Sequence, residues 1–181
     1  LNSAEPIHIF YGLRSSLTKI SLASYFADVL RYCIDAEVQS GDIMRLYLNT
    51  LHYLENDSRG EAMLRSVSEL RLLSEIGYMP DVLACRGCGA FEPEELFFSV
   101  GAGGFYCCDC GKELENDRYM RLKLPVLRAV RHIVLSDYER LFNFRVSDEM
   151  QKKLSLFTEN YLLTHIGRGF QTLDFYKSLI T

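Results

Sequence analysis

Cys85-Arg86-Gly87-Cys88-Gly89 and Cys107-Cys108-Asp109-Cys110-Gly111 are the stretches that decide how this chain is read. Each holds a C-x-x-C pair closed by a glycine, and 18 residues separate the pairs. That spacing falls in the range for a four-cysteine zinc site. A C-x-x-C turn presents two thiolates from one tight loop, and zinc takes four at the corners of a tetrahedron, with bonds of about 2.3 Å. Gly89 and Gly111 each permit positive φ, so that amide N–H groups can turn back toward the sulfurs. Between the pairs, Leu96–Val100 and Gly104–Tyr106 read as short strands around a glycine-rich turn. Two knuckles joined by a hairpin make a zinc ribbon.

Other uses of the four cysteines ask for something else. Paired disulfides suit a small secreted protein, whereas 181 residues can bury a core without them. A redox dithiol usually comes singly beside a βαβ pattern. Iron would fit the same four-sulfur cage, since geometry alone does not separate it from zinc. Choosing Cys108 in place of Cys107 would shorten the second pair to C-x-C. The expectation is one structural zinc on Cys85, Cys88, Cys107 and Cys110, with Cys33 and Cys108 unligated and no coordination position open for catalysis.

Working outward, hydrophobic content of 48% and charged content of 24% are those of an ordinary globular protein. The net charge of −4 argues against a chain that binds polyanions over its whole surface. Its distribution is uneven. Residues 92–117 hold seven acids and one lysine, whereas 118–136 hold Arg118, Arg121, Lys123, Arg128 and Arg131 and no acid. Guanidinium forks suit carboxylates and phosphates. This run is therefore a candidate docking face for DNA or an acidic peptide, or else it neutralises the acids before it. Arg128 and Arg131, three apart and opposite an apolar stripe, are both expected to be exposed. Cysteines arranged for metal point to a reducing, cytoplasmic setting. No apolar run approaches a membrane span and no signal peptide is visible, so no membrane role is expected.

Helical periodicity flanks the ribbon on both sides. From about Ser15, Ile20, Ala23, Ala27, Leu30 and Ile34 share a face. After a plausible cap at Asp42, a second stripe runs through Ile43, Met44, Tyr47, Leu48, Leu51 and Leu54. Ser58-Arg59-Gly60-Glu61 has the form of a capping box. It precedes Leu64, Val67, Leu70, Leu73 and Ile76, with Gly77 as terminator. Beyond the ribbon, Pro125 opens a helix with Val126, Leu127, Val130, Ile133 and Val134 inside. Ser147 caps another with Met150, Leu154, Phe157 and Tyr161, broken at Gly167, and a last short helix runs from Leu173 to Leu179. The fold expected is mainly α: a helical bundle with an inserted four-cysteine zinc ribbon built on a small β-hairpin. Its parts are 1–10, a linker or remnant strand of an absent N-terminal domain; 11–81, the first helical part; 82–117, the ribbon; and 118–181, the second helical part.

No nucleophile elbow, P-loop, H-E-x-x-H pair or dinucleotide loop is present. His8, His52, His132 and His165 are scattered without metal-ligand spacing. The chain is not expected to be an enzyme; a zinc-dependent one would need an open metal position that four cysteines do not leave.

Leu72-Leu73-Ser74-Glu75-Ile76-Gly77-Tyr78-Met79-Pro80, the Cys85/Cys88 knuckle, and Gly103-Gly104-Phe105-Tyr106 before Cys107 and Cys110 together resemble the C-terminal part of the bacterial RecO family. Phe10-x-x-Leu13-Arg14, Ala23 and Tyr25, and Lys177-Ser178 extend the likeness more weakly toward both ends. The resemblance implies a mediator of DNA repair and homologous recombination in the RecF pathway. Such a protein binds single- and double-stranded DNA, anneals complementary strands and pairs with RecR. It also contacts the C-terminal tail of single-strand-binding protein, so that RecA is loaded. The family's N-terminal OB-fold, a usual single-strand binder, is absent from this sequence, so weak DNA binding by the chain alone is expected. The competing reading is a zinc-stabilised helical protein-interaction adaptor with no nucleic-acid role, in which the likeness covers only the ribbon.

Overall fold

The computed structural model describes residues 8–34, 41–112 and 119–180. After a short 3-10 turn, Tyr11–Ser15, three helices precede the ribbon: α1 (Leu17–Cys33), α2 (Gly41–Glu55) and α3 (Glu61–Glu75). The ribbon holds β1 (Glu95–Ser99), β2 (Gly104–Cys107) and a one-turn helix, α4 (Cys108–Gly111). A third strand, β3 (Tyr119–Lys123), runs directly into α5 (Leu124–Leu135), followed by α6 (Asp148–Ile166) and α7 (Gln171–Ile180). The fold is thus mainly helical, with a small antiparallel sheet ordered β2-β1-β3.

The centre is α3, which touches α1, α2, α5 and α6. Leu64, Val67, Leu70 and Leu73 are fully buried, as their spacing predicts. The same encirclement buries Arg65, Ser66 and Glu69, and each of these finds a partner. Glu69 accepts from the Thr158 hydroxyl at 2.6 Å and the Tyr25 hydroxyl at 2.8 Å. Arg65 donates to Glu159 at 2.8 Å, and Lys177 from α7 reaches the other oxygen of that carboxylate at 2.7 Å. Gly77, at φ +96°, closes the helix: the Tyr78 amide donates to Leu73 O at 2.7 Å and the Gly77 amide to Ser74 O at 3.4 Å.

Several local expectations differ from this. The capping box is not formed: Gly60 is the N-cap of α3 without a side-chain cap, and Glu61 instead accepts from Thr18 at 2.8 Å and Tyr176 at 3.1 Å. Asp42 lies inside the first turn of α2, and whatever caps it lies outside the described residues. The buried face of α1 is Leu22, Tyr25, Phe26 and Val29, with Ile20 and Ala27 exposed, because two bulky aromatics outcompete alanines for the space against α3. On α2, Met44 and Leu48 face outward while Leu46 and Thr50 are inside. Ser147 does cap α6, accepting from the Met150 amide at 3.4 Å, and Gly167 ends it at φ +73°. Most of the strand remnant expected over 1–10 lies outside the described residues, as do Glu113, Glu115, Asp117 and Arg118.

The sheet is one strand larger than the expected hairpin. β1 pairs with β2 (Phe98↔Phe105) and with β3 on its other edge (Leu96↔Leu122, Phe97↔Arg121). One face, with Leu96, Phe98, Phe105 and Leu122 all buried, lies against the helices. There Phe98 meets Phe157 edge-on at 4.8 Å between ring centres and Tyr161 at 6.0 Å. A single apolar cluster therefore runs from α1 through the sheet to α7.

Acid should weaken this core through Glu159. Burial works against its charge, but Lys177 and Arg65 together hold its carboxyl below the ordinary range. A depressed folded-state value contributes stability above the unfolded value and loses it as pH falls through the folded one. Glu69 carries the opposite sign, because complete burial pushes its carboxyl up. In urea unfolding followed from about pH 6 to about pH 3, Glu159→Gln should flatten the acid-side loss of stability. Glu69→Gln should steepen it.

Candidate metal centre

The first knuckle is laid along β2 by backbone bonds. The Asp81 amide donates to Gly103 O at 2.7 Å and the Arg86 amide to Phe105 O at 3.0 Å. The loop closes on itself, with the Cys85 amide donating to Ala90 O at 2.9 Å and the Gly89 amide to Cys85 O at 2.9 Å. Gly89 sits at φ +77°, as its position after the pair requires. The second pair follows from β2 ending at Cys107 and winding straight into α4, which returns Cys110 toward Cys107.

All four sulfurs of Cys85, Cys88, Cys107 and Cys110 lie within 4.8 Å of one another. Sulfurs at the corners of a tetrahedron with bonds of about 2.3 Å are about 3.8 Å apart. The Cys88 and Cys107 sulfurs are 3.6 Å apart, and the cluster could hold one metal ion with soft, tetrahedral preferences. Cys108 turns away, its thiol donating to Glu95 O at 3.3 Å. Cys33, half-buried at the end of α1, has its thiol pushed up to about 11 by burial alone.

The thiols are unequal. Burial opposes ionisation of Cys85, yet the amides of Cys107, Cys88 and Gly87 bring its thiol down to about 6. The Cys107 amide lies 3.2 Å from that sulfur and the Gly87 amide 3.4 Å. Hydrogen bonds shared with Cys107 and Cys88, together with burial, push Cys110 up to about 12. At Cys88 the Ala90 amide favours the thiolate, but sharing with Cys107 and Cys85 outweighs it and raises the thiol. Four thiolates this close repel one another, and a bound cation removes that repulsion.

Two glycines matter here for space. A Cβ on Gly87 would lie 2.6 Å from the Cys110 sulfur, so position 87, next to the second ligand, cannot carry a side chain. Gly111 does not adopt the positive φ expected of it. It is glycine at a place where a Cβ would lie 2.5 Å from the Phe97 ring. Neither contact is written in the C-x-x-C spacing, although a glycine inside the motif was a visible cue.

The basic segment beside the ribbon is divided by the fold. Arg121 and Lys123 project from β3 and are exposed, as is Arg128 on α5. Arg121 pairs with Glu95, and Arg128 grips Glu92 with two bonds of 3.0 and 2.7 Å. Arg131 departs from expectation: it is buried, and it points under the first knuckle. It donates to Val82 O at 2.6 Å, to Leu83 O at 2.9 Å and to Phe91 O, with its guanidinium 4.1 Å from the Phe91 ring centre. A turn whose carbonyls point inward needs donors, and the length of an arginine supplies three bonds at once. Arg131 is thus a strut between α5 and the knuckle. Its truncation leaves the buried Val82 carbonyl and the part-buried carbonyls of Leu83 and Phe91 unpaired, at about 1–3 kcal/mol for a fully buried group. Arg131→Ala should lower stability in urea unfolding by several kcal/mol, and Arg128→Ala, an exposed pair, by under about 1 kcal/mol.

Comparison with known proteins agrees along nearly the whole chain. A family model described as "Recombination protein O C terminal" matches residues 14–174. A protein of Acetivibrio thermocellus named DNA repair protein RecO is 31% identical over 180 residues, covering 99% of this chain and 70% of that protein. Proteins of the same name from Caldicellulosiruptor saccharolyticus and Symbiobacterium thermophilum are each 27% identical. They cover 98% and 99% of this chain, and 70% and 71% of their own lengths. The match extends well beyond the ribbon into every helix, and the chain belongs to the recombination protein O family of DNA repair proteins.

Proposed function

We propose that this chain is a non-catalytic, cytoplasmic mediator of DNA repair and homologous recombination. It acts by holding DNA, RecR and the C-terminal tail of single-strand-binding protein together, so that strands anneal and RecA loads. The observation that carries this reading is the family match over 14–174, which includes both helical parts and not the ribbon alone. That extent weighs against an adaptor sharing only a zinc ribbon. No described helix is long and apolar enough to cross a membrane.

The metal in this reading is one structural zinc on Cys85, Cys88, Cys107 and Cys110. Four sulfur donors at tetrahedral spacing favour a soft ion in a closed shell. When bound, it supplies charge neutralisation and a cross-link between the two knuckles, nothing more. The chain's own residues do the rest: amides orient the sulfurs, and Arg131 ties the first knuckle to α5. Elemental analysis should find one zinc per chain. Cys108→Ser should keep it and Cys107→Ser should lose it; the reverse pattern, or iron in place of zinc, would overturn the assignment.

Of the basic segment, Arg121, Lys123 and Arg128 offer an outward face to an anionic partner. Arg131 belongs to the scaffold, and Arg118 lies outside the described residues. The carboxylates of Glu92 and Glu95 hold Arg128 and Arg121 in place until phosphates or acidic side chains compete for them. The direct test is co-purification of the chain with RecR and with the single-strand-binding protein tail, beside an annealing assay on complementary oligonucleotides. Charge reversal at Arg121, Lys123 and Arg128 together should weaken binding of DNA or the tail by tenfold or more at low salt, with the fold intact by circular dichroism. If neither binds and no annealing occurs, the reading fails.

A further inference from the structure

Beside the α5 N-terminus the surface opens into a cleft of about 570 Å³, between α5 and the loop leading into α6. Arg128 and His132 form one wall; Phe144, Arg145, Ser147 and Met150 form the other, and no carboxylate lines the space. Of its two guanidinium groups Arg128 is already paired with Glu92, so the uncompensated positive charge of the cleft is that of Arg145. Arg145 is exposed and makes no ion pair or hydrogen bond among the described residues. Arg128 spends Nε and Nη2 on Glu92, which leaves Nη1.

The same cleft holds an aromatic pair. The His132 and Phe144 rings are 4.9 Å apart at 54°. His132 Nε2 donates to Arg140 O at 2.9 Å, and Nδ1 lies 3.2 Å from the Ser136 hydroxyl. Both ring nitrogens are therefore occupied, and only the faces of the imidazole remain for a ligand. That suits stacking, not proton transfer.

We propose that this cleft takes one nucleotide of a single-stranded nucleic acid, its base against Phe144 and His132 and its flanking phosphates on Arg145 and Arg128. The proposal rests on the DNA-binding reading above and gives it a location. Phosphate and a flat π face, a few ångströms apart, are what a nucleotide presents, and guanidinium beside aromatic is what single-strand grooves offer in return.

The test is an anisotropy titration of the chain with a fluorescein-labelled oligothymidylate at several salt concentrations. It is paired with photo-cross-linking of an iodouracil-substituted oligonucleotide and mapping by mass spectrometry. Arg145→Glu should weaken binding at least tenfold at low salt and lower the salt slope by about 0.7. Phe144→Leu, which keeps the packing apolar, should weaken binding about tenfold while leaving the slope unchanged. Cross-links should fall on Phe144 or His132. If the oligonucleotide binds both variants as it binds the parent and cross-links elsewhere, the cleft is wrong and the DNA reading stands. If the parent chain binds no oligonucleotide, both fall. Were the two variants to lose an acidic peptide but keep the oligonucleotide, the cleft would be a peptide site and the proposal overturned.

Discussion

A helix surrounded on all sides cannot leave a charge unpaired, and that constraint at α3 shapes most of the fold. Glu69 is fully enclosed, and its two oxygens are satisfied by Tyr25 from α1 and Thr158 from α6. Arg65, one turn earlier, reaches Glu159 on α6, which in turn holds Lys177 on α7. Removing one member of a buried set strands the others at a cost of about 3–5 kcal/mol, so the set resists piecemeal change. It also fixes which helix lies against which. Apolar faces alone would tolerate a register shift of α6 along α3, whereas Thr158 and Glu159 fit opposite Glu69 and Arg65 in only one.

The ribbon is joined to that bundle by two contacts of different kinds. Phe98 sets one face of the sheet edge-on against the stacked rings of Phe157 and Tyr161, and Arg131 reaches from α5 to three carbonyls of the first knuckle. The first is apolar and broad; the second is polar and directional. Together they make the ribbon an extension of the core, so a disturbance at the cysteines reaches α5 and α6. The cationic segment is consequently split in purpose. Its buried member supports the knuckle, and Arg121 and Arg128 among its exposed members pair with Glu95 and Glu92 at the surface.

The sequence was most legible where one physical requirement dominates. Cysteine spacing anticipated the sulfur cluster, and the apolar stripes of α3, α5 and α6 anticipated their buried faces. It was less legible where two requirements compete. On α1, alanines and aromatics were both periodic, and volume against α3 decided between them. Tyr119-Met120-Arg121-Leu122-Lys123 alternates as a strand should, but its charge drew the eye to a docking role and hid β3. Arg131 sits opposite an apolar stripe yet is buried, because a neighbouring turn, invisible to helical periodicity, needed its donors. Gly87 and Gly111 answer to contacts with residues far along the chain. Arg145, His132 and Phe144 carry no motif and meet only through the folding of the loop onto α5.

The metal centre shows why the bundle has to be rigid for the ribbon to work. Cys85 has amides enough to ionise easily, while Cys88 and Cys110 hold their protons through bonds to neighbouring sulfurs. Deprotonating all of these thiols within 4.8 Å of one another is therefore unfavourable unless a cation neutralises the charge. Something else must hold the two knuckles together in the meantime. The backbone bonds from Asp81 and Arg86 to β2 do so locally. Arg131 and Phe98 do so against the helices. A preformed site of this kind has less ordering left to do when the metal enters, so less of the binding free energy is consumed in folding. The helical core and the cysteine cluster are thus parts of one device: the bundle sets the positions of the sulfurs, and β3 carries the ribbon's sheet directly into α5.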